Sequence, residues 1–471
     1  MLLRITRPAW AIPFSRPLSA PQGENIQGED MWRAGVSYHV PAKIREARAG
    51  AVPATMPAGR AGPRRDRAGA KSTRPRRNDA IFRVHKPFCQ AIRTHAVNRD
   101  AGRAATTLTE TILTDPGHHS MRIAQISPLF EAVPPKLYGG TERVVYSLTE
   151  ELVAMGHDVT LFASGDSVTS ATLAPMRDQA IRLDPSVRDW VALYNRMVEL
   201  IYRRKDEFDV LHFHIDYFPL SLFSRQNVPF LTTIHGRLDV AEFVEVFGTF
   251  RDAPFVSISD NQRKPIPHLN WVRTVLHGMP PHILTPQPVK QEYAAFLGRV
   301  SPEKGLDRAI HIAGKAGLKL KIAAKVDNAD KEYYDTIIKP LIRDNAHVEF
   351  IGEINDQQKP AFLSGAHALI FPIDWPEPFG LVMIEAMACG TPVIAYRSGS
   401  VPEVIDDGVS GFIVGDEDEA VRAIGRLGEL NRETVRATFD RRWTARRMAE
   451  DYVSVYEELA QPKRRLRAVG G

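Results

Sequence analysis

Residues 366–396, AHALIFPIDWPEPFGLVMIEAMACGTPVIAY, decide the fold. Ala368 to Phe371 is a short apolar run, and the loop after it holds Trp375, Pro376, Glu377 and Pro378. A helix is predicted from Gly380 to Cys389, stopped by Gly390, and a second apolar run follows from Pro392 to Tyr396. Strands that are apolar throughout, with no strict alternation, are covered on both faces. When helices separate them they belong to a parallel sheet in an α/β domain.

The same alternation extends in both directions. Upstream lie strands predicted at Tyr293–Leu297, Leu318–Ala323 and His347–Ile351, with a helix on Leu306, Ala309, Ile310 and Ala313 and another around Tyr333–Ile342. Earlier still, strands are predicted at Met121–Ser127, His157–Ala163, Asp209–His214, Val228–Ile234, Pro254–Ser259 and Arg273–Leu276. A helix through Met155 carries Val144, Val145, Leu148 and Leu152 on one face and stops at Gly156. Gly278 to Pro288 holds Pro280, Pro281, Pro286 and Pro288, a density that suits a linker. The chain closes with a helix bearing Met448, Tyr452, Val455, Tyr456 and Leu459 on one side. The fold class read from this pattern is α/β, with two Rossmann-like doubly wound domains over 121–285 and 286–440 facing a cleft. A closing helix follows over 441–460 and a basic tail over 461–471. Ligands of such sheets gather at the carboxyl ends of the strands.

Composition narrows the function. No stretch of the 471 residues approaches the run of about 18 apolar residues that a membrane span needs. Two cysteines, Cys89 and Cys389, make neither a disulfide framework nor a cysteine-rich metal site, and they fit a reducing, cytoplasmic setting. The net charge of +5 conceals a division: residues 1–120 carry 20 Lys and Arg against 9 Asp and Glu, whereas residues 121–471 carry 41 against 47. The body of the protein would repel a phosphate backbone, so nucleic acid is not expected as a partner. Residues 1–120 are rich in Arg, Ala, Pro and Gly and read as mostly disordered. Arg4, Arg7 and Arg16 without an acid have the charge balance of a transit peptide. The reading preferred here is a start assigned upstream of Met121, which accounts for the segment without any function. The run Lys463-Arg464-Arg465-Leu466-Arg467 is compatible with weak peripheral contact with anionic lipid, though a solvated tail is the commoner explanation.

The loops that follow these strands carry the candidate chemistry. Gly139 and Gly140 precede the first helix, where backbone amides can approach an anion, though a glycine pair is more often a turn. After the first strand of the second domain, Gly298-Arg299-Val300-Ser301-Pro302-Glu303-Lys304-Gly305 puts a planar fork and a point charge at the start of a helix. Two cations so placed can hold a diphosphate; the plain alternative is a solvated turn. Glu377 sits in the loop before the Gly380 helix and Glu385 within it, and the amides near Gly380 and Leu381 offer anion donors. A buried Glu385 needs a partner. His235 ends a strand of the first domain. Asp416-Glu417-Asp418 has the form of a metal-binding D-x-D but begins a predicted helix, where acids suit the dipole. His212 and His214 alternate on one strand with no third ligand evident, so no metal site is expected.

From Met121 to about Leu459 the sequence resembles the retaining glycosyltransferases of family 4 (group 1), which have the GT-B fold. Gly139-Gly140, Gly298-Arg299, Lys304-Gly305 and Glu377-Pro-Phe-Gly-Leu-Val-Met-Ile-Glu385 carry the resemblance, extended by Gly399 to Val404 and Gly408 to Val414. It implies a hexosyltransferase whose donor is a UDP- or GDP-linked sugar, with no cofactor. It implies that Arg299 and Lys304 hold the diphosphate with the glycine loop, and that Glu377, in the loop with Phe379, Gly380 and Leu381, touches the transferred sugar. Glu385 would hold the ribose, and His235 would lie beside the sugar. The acceptor, be it glycan, lipid or small molecule, is not encoded legibly; it would meet loops such as Val133–Tyr138 and Arg237–Phe247. One departure stands out: Ala323-Ala324-Lys325-Val326-Asp327-Asn328 replaces a frequent glycine-rich turn, which leaves the choice of base open. A nucleotide-sugar epimerase, a phosphorylase and a non-catalytic nucleotide-sugar-binding protein remain alternatives.

Overall fold

The computed structural model describes residues 120–136 and 139–461. The extension before Ser120, Leu137 and Tyr138 of the first-domain loop, and the basic run at Lys463–Arg467 lie outside the described residues.

The apolar runs form two parallel sheets. In the first, β1 (Arg122–Ile126), β2 (Asp158–Ser164), β3 (Thr172–Arg177), β4 (Val210–Phe213), β5 (Phe230–Thr233), β6 (Phe255–Ser257) and β7 (Trp271–Thr274) are ordered β3-β2-β1-β4-β5-β6-β7. In the second, β8 (Tyr293–Arg299), β9 (Leu320–Lys325), β10 (Val348–Gly352), β11 (Ala366–Phe371), β12 (Val393–Tyr396) and β13 (Gly411–Val414) are ordered β10-β9-β8-β11-β12-β13. Both sheets begin in the interior, wind outward to one edge and return past their starting strand. The chain therefore reverses direction between β1 and β4 and again between β8 and β11, and the loops there diverge to leave a crevice.

Burial explains why the runs are continuous rather than alternating. All residues of β4, β5 and β6 are buried, because helices cover both faces. Helix Gly140–Ala154 buries Val144, Val145, Leu148 and Leu152, the face expected from the sequence.

Several elements differ from the sequence reading. β3 was not anticipated; it contains Pro175, which an edge strand tolerates because its missing N–H need not serve a neighbour. β7 lies two residues before its predicted position and is only half-buried along its length. The helix expected around Tyr333–Ile342 is a composite of Lys331–Tyr333, a π-helical stretch Tyr334–Ile338 and Lys339–Asp344, with Pro340 at the joint. A proline inside a helix removes an N–H and crowds the preceding turn, so the ladder shifts register there. β13 and helices Trp190–Arg203, Ala241–Thr249, Glu417–Gly425 and Arg432–Arg442 complete the layers.

The closing helix, Ala445–Ala460, follows the second sheet in sequence but packs on the first. Met448, Ala449, Tyr452, Val455 and Tyr456 share a core with Ile123, Val144, Leu148, Leu152 and Val210. Each Met, Val, Leu or Ile side chain of this core contributes about 1.5–3 kcal/mol on burial. The chain thus crosses between the lobes twice, side by side: Met279 N–H donates to Trp443 O at 2.9 Å and Ala445 N–H donates to Met279 O at 2.9 Å. Among the described residues, no helix is long and apolar enough to cross a membrane.

Candidate active site

The two crevices share one cleft of about 360 Å³, which brings together all ten residues singled out in the loops. Gly139, Gly140 and His235 line it from the first lobe; Arg299, Lys304, Glu377, Phe379, Gly380, Leu381 and Glu385 line it from the second.

On the second-lobe wall the charges are paired. β8 ends at Arg299, and a turn at Pro302–Lys304 brings Lys304 Nζ to 2.5 Å from Glu377 Oε2. Arg299 donates to Glu303 at 2.7 Å and lies 3.4 Å from Asp330. Burial raises the Asp330 carboxyl to about 6, against the opposing pull of Arg299. The two cations therefore have carboxylate partners that the sequence reading did not assign to them, as half-buried charges require. Glu385, only 4 % exposed, has the partner that its burial demands: Lys359 Nζ lies 2.6 Å from Glu385 Oε1 and 3.3 Å from Asp356 Oδ1. Asp356 in turn pairs with Arg143, in the first turn of helix Gly140–Ala154, so this chain of charges joins the lobes. Lys359 was hidden in Asn355-Asp356-Gln357-Gln358-Lys359, a polar run that reads as an ordinary loop.

Backbone geometry fixes the Glu377 loop. Gly380 caps helix Leu381–Ala388 at φ 80°, a left-handed conformation that glycine adopts without a Cβ penalty. The first amides of that helix point out of its open end, where the dipole favours an anion. Gly399 packs so closely that a Cβ there would stand 2.3 Å from Glu377 N. Around it, Ser398 Oγ donates to Trp375 O at 2.7 Å, Ser400 N to Glu377 O at 2.9 Å and Ser400 Oγ to Phe379 O at 2.8 Å. These bonds explain why the segment from Gly399 to Val404 accompanies the Glu377 motif. Trp375 lines the cleft with Lys304 and first-lobe Arg237 each 5.2 Å from its ring, and its buried indole N–H has no hydrogen-bond partner among the described residues.

At the ends of β4 and β5 the first-lobe wall is built from imidazoles, while Glu131, Glu142, Arg143, Arg182 and Asp216 line the cleft elsewhere on that lobe. His235 follows β5 and His214 follows β4, with His214 Nδ1 at 2.9 Å from His235 Nε2. His277 stacks on His235 with ring centres 5.2 Å apart. Burial drives His235 down to about 3 and holds His212, His214 and His277 well below the usual imidazole range. The rings of His212 and His214 lie 3.9 Å apart. Among the described residues no group of three or more His, Cys, Asp or Glu is arranged to hold a metal ion. Glu142, beside the glycine pair, is raised by burial to about 7. Asp416 caps helix Glu417–Gly425 by accepting from Glu419 N at 2.8 Å, and none of Asp416, Glu417 and Asp418 lines the cleft. Ala323, Ala324 and Lys325 do line it, and Lys325 pairs with Asp327 at 2.9 Å.

Two family models cover most of the described residues: Glycosyltransferase Family 4 matches residues 138–303 and Glycosyl transferases group 1 matches residues 285–440. The phosphatidyl-myo-inositol mannosyltransferase of Mycolicibacterium smegmatis is 26% identical over 383 residues, covering 72% of this chain and 92% of its own. Among solved structures, the sucrose-phosphate synthase of Thermosynechococcus elongatus aligns at a TM-score of 0.61 and 20% identity, over 72% of this chain and 98% of that one. Anabaena HepE in complex with UDP and glucose aligns at 0.56 and 15% identity, over 72% and 99%. With two parallel-sheet lobes and a cleft at both switch points, the chain belongs to the family 4 (group 1) glycosyltransferases of the GT-B fold.

Proposed function

We propose that this glycosyltransferase moves a hexose from a UDP- or GDP-linked sugar to an acceptor hydroxyl with retention of configuration, and without a divalent ion. The observation that carries the reading is the convergence, within one cleft, of the Lys304–Glu377 pair, Arg299 and the open end of helix Leu381–Ala388 opposite His235. The leaving group is a diphosphate, and the reacting sugar becomes oxocarbenium-like. Cations and amides aimed at the first, with a carboxylate beside the second, stabilise both charges as they develop. The names of a mannosyltransferase relative and of a neighbour bound to UDP and glucose support a nucleotide-linked hexose as donor.

In this reading Lys304 exchanges Glu377 for the donor phosphates, and the freed carboxylate turns to the sugar. Arg299 shifts from Glu303 in the same way, and Glu385 takes the ribose hydroxyls. The bond from the anomeric carbon to the phosphate oxygen breaks, and the acceptor oxygen bonds to that carbon from the same face. The acceptor proton passes to a phosphate oxygen of the departing diphosphate. The crossings at Met279 and Trp443–Ala445 serve as the hinge on which the lobes close to exclude water.

Thermal-shift screening against UDP-glucose, UDP-galactose and GDP-mannose, followed by product analysis, tests the donor and the stereochemistry. Glu377→Ala and Lys304→Ala each lower turnover by about 10²–10³-fold, the worth of one preorganised charge-stabilising group. Unchanged turnover in either variant, an inverted product, or loss of activity in EDTA each removes the corresponding element. An altered sugar nucleotide formed without acceptor would assign an epimerase instead.

A further inference from the structure

A line of polar side chains runs from the closing helix through the first sheet to the cleft. Tyr452 Oη lies 2.9 Å from Thr233 Oγ1, which lies 2.7 Å from His212 Nε2. His212 Nδ1 lies 2.7 Å from Tyr456 Oη, and Gln125 Nε2 donates to that hydroxyl at 2.9 Å. Gln125 Oε1 lies 2.9 Å from His214 Nε2, and His214 Nδ1 lies 2.9 Å from His235 Nε2. Every member before His235 is buried. Packing does not demand them. Gln125 interrupts the otherwise apolar Ile123–Ile126 run of β1, where a leucine would fill the space without polar obligations.

The donors and acceptors along this line have a direction. A neutral imidazole donates from one nitrogen and accepts at the other, and the amide oxygen of Gln125 can only accept. His214 therefore carries its proton on Nε2 and accepts at Nδ1, so His235 donates from Nε2 and its Nδ1 is left bare. On the other arm the Gln125 amide donates to Tyr456, whose own proton goes to His212 Nδ1. His212 then donates from Nε2 to Thr233. Burial in a low-dielectric interior disfavours the charged imidazole, which is why the histidines of the line stay neutral.

We infer that Gln125, clamped by Tyr456 of the closing helix, is a positioning residue that holds His235 as the Nε2–H tautomer and so offers its bare Nδ1 to a hydroxyl of the bound sugar. The inference rests on the reading of His235 beside the donor sugar. It gives the closing helix a chemical task in addition to its packing: a helix that follows the second sheet in sequence sets the protonation pattern at the end of a first-lobe strand. Gln125 and Tyr456 do not line the cleft; they act through His214 and His235, which do.

Histidine ¹⁵N spectra of the full chain, with His235 assigned by its loss in His235→Asn, read the tautomer without any donor. The wild type shows His235 protonated at Nε2 and bare at Nδ1 at neutral pH, and Gln125→Leu shows mixed tautomers. Tyr456→Phe keeps the ring's packing and shows the same trend, which keeps the test alive if Gln125→Leu does not fold. A proton on Nδ1 in the wild type, or a tautomer unmoved in the folded variants, overturns the inference. Release of UDP from UDP-glucose to water gives a second readout. Here kcat/KM falls about tenfold in each variant, the worth of one hydrogen bond. That loss vanishes in a His235→Asn background; losses that simply add would mark a structural effect and overturn the inference. A wild type that holds the Nε2–H tautomer yet neither binds nor turns over UDP-glucose or GDP-mannose refutes the donor reading, and leaves the role of Gln125 supported by the spectra.

Discussion

At the ends of β4 and β5 the first sheet presents neutral imidazoles, each hydrogen-bonded to another protein group or stacked on one. At the ends of β8 and β11 the second sheet presents ammonium, guanidinium and carboxylate groups in close pairs. The winding is the same, and at these strand ends the chemistry is opposite. A wall whose donors and acceptors are committed to one another keeps its shape when a ligand arrives. A wall of ion pairs can trade partners, because a phosphate replaces a carboxylate on a cation without leaving a charge unpaired. The difference assigns the exchange of charge to one lobe and the fixed frame to the other.

The largest test removes one partner from the charged wall. Lys359→Ala removes the cation paired with buried Glu385, and breaking a buried pair on one side costs about 3–5 kcal/mol. Equilibrium urea unfolding reads that loss directly. Replacing both partners by apolar residues, Lys359→Met with Glu385→Leu, restores most of it, since a buried pair and an apolar pair of similar volume are nearly equivalent. A loss below about 1 kcal/mol in Lys359→Ala would mean that the pair is solvated and the contrast between the walls is weaker than drawn.

The second test attacks the neutral wall with acid. His212, His214, His235 and His277 have folded-state pKa values depressed by burial, so below about 6.5 the unfolded chain takes up protons that the folded one refuses. Their contribution to stability is present above that pH and lost as the pH falls. Glu142 and Asp330, raised to about 7 and about 6, act in the opposite sense over part of the same range. The net uptake near pH 5.5 is about two protons, so stability falls by about 3 kcal/mol per pH unit there. Unfolding free energies measured from pH 7.5 to pH 5 give the slope. A flat profile would show that the imidazoles are charged or open to water.

What the sequence made legible follows the same division. Strand runs, helix stops and the Glu377 motif are local patterns, and they placed both sheets and the ten cleft residues. The partners of those residues are typical in type and, apart from Glu303 four residues after Arg299, distant in sequence. Lys359 lies in a polar run, and Glu303 and Asp330 read as turn acids. Tyr452 and Tyr456 read as one apolar helix face, since a tyrosine ring packs like a phenylalanine whatever its hydroxyl reaches. Gln125 was the exception that offered a signal: a buried amide in an apolar strand requires partners, though nothing local says which. β3 escaped notice because Pro175 argues against a strand everywhere except at an edge.

The smallest expected effect concerns Glu142, a carboxyl of the first-lobe wall. It stands in the first turn of helix Gly140–Ala154 and lines the cleft, and burial raises it to about 7 while backbone N–H groups of its own residue and Glu131 partly oppose the rise. In the unfolded chain it ionises near its ordinary value of 4.5, so its contribution to stability is full below that value and is lost as the pH rises to about 7. Glu142→Gln keeps the shape and removes the ionisation. The variant gains about 1–3 kcal/mol over the wild type at pH 8 and almost nothing at pH 4.5. Paired melting curves at the two pH values measure the gain. Equal stability at both would mean that Arg182, which already pulls Glu142 downward, offsets its burial in full, and the first-lobe wall would then join the second as a surface of exchangeable charge.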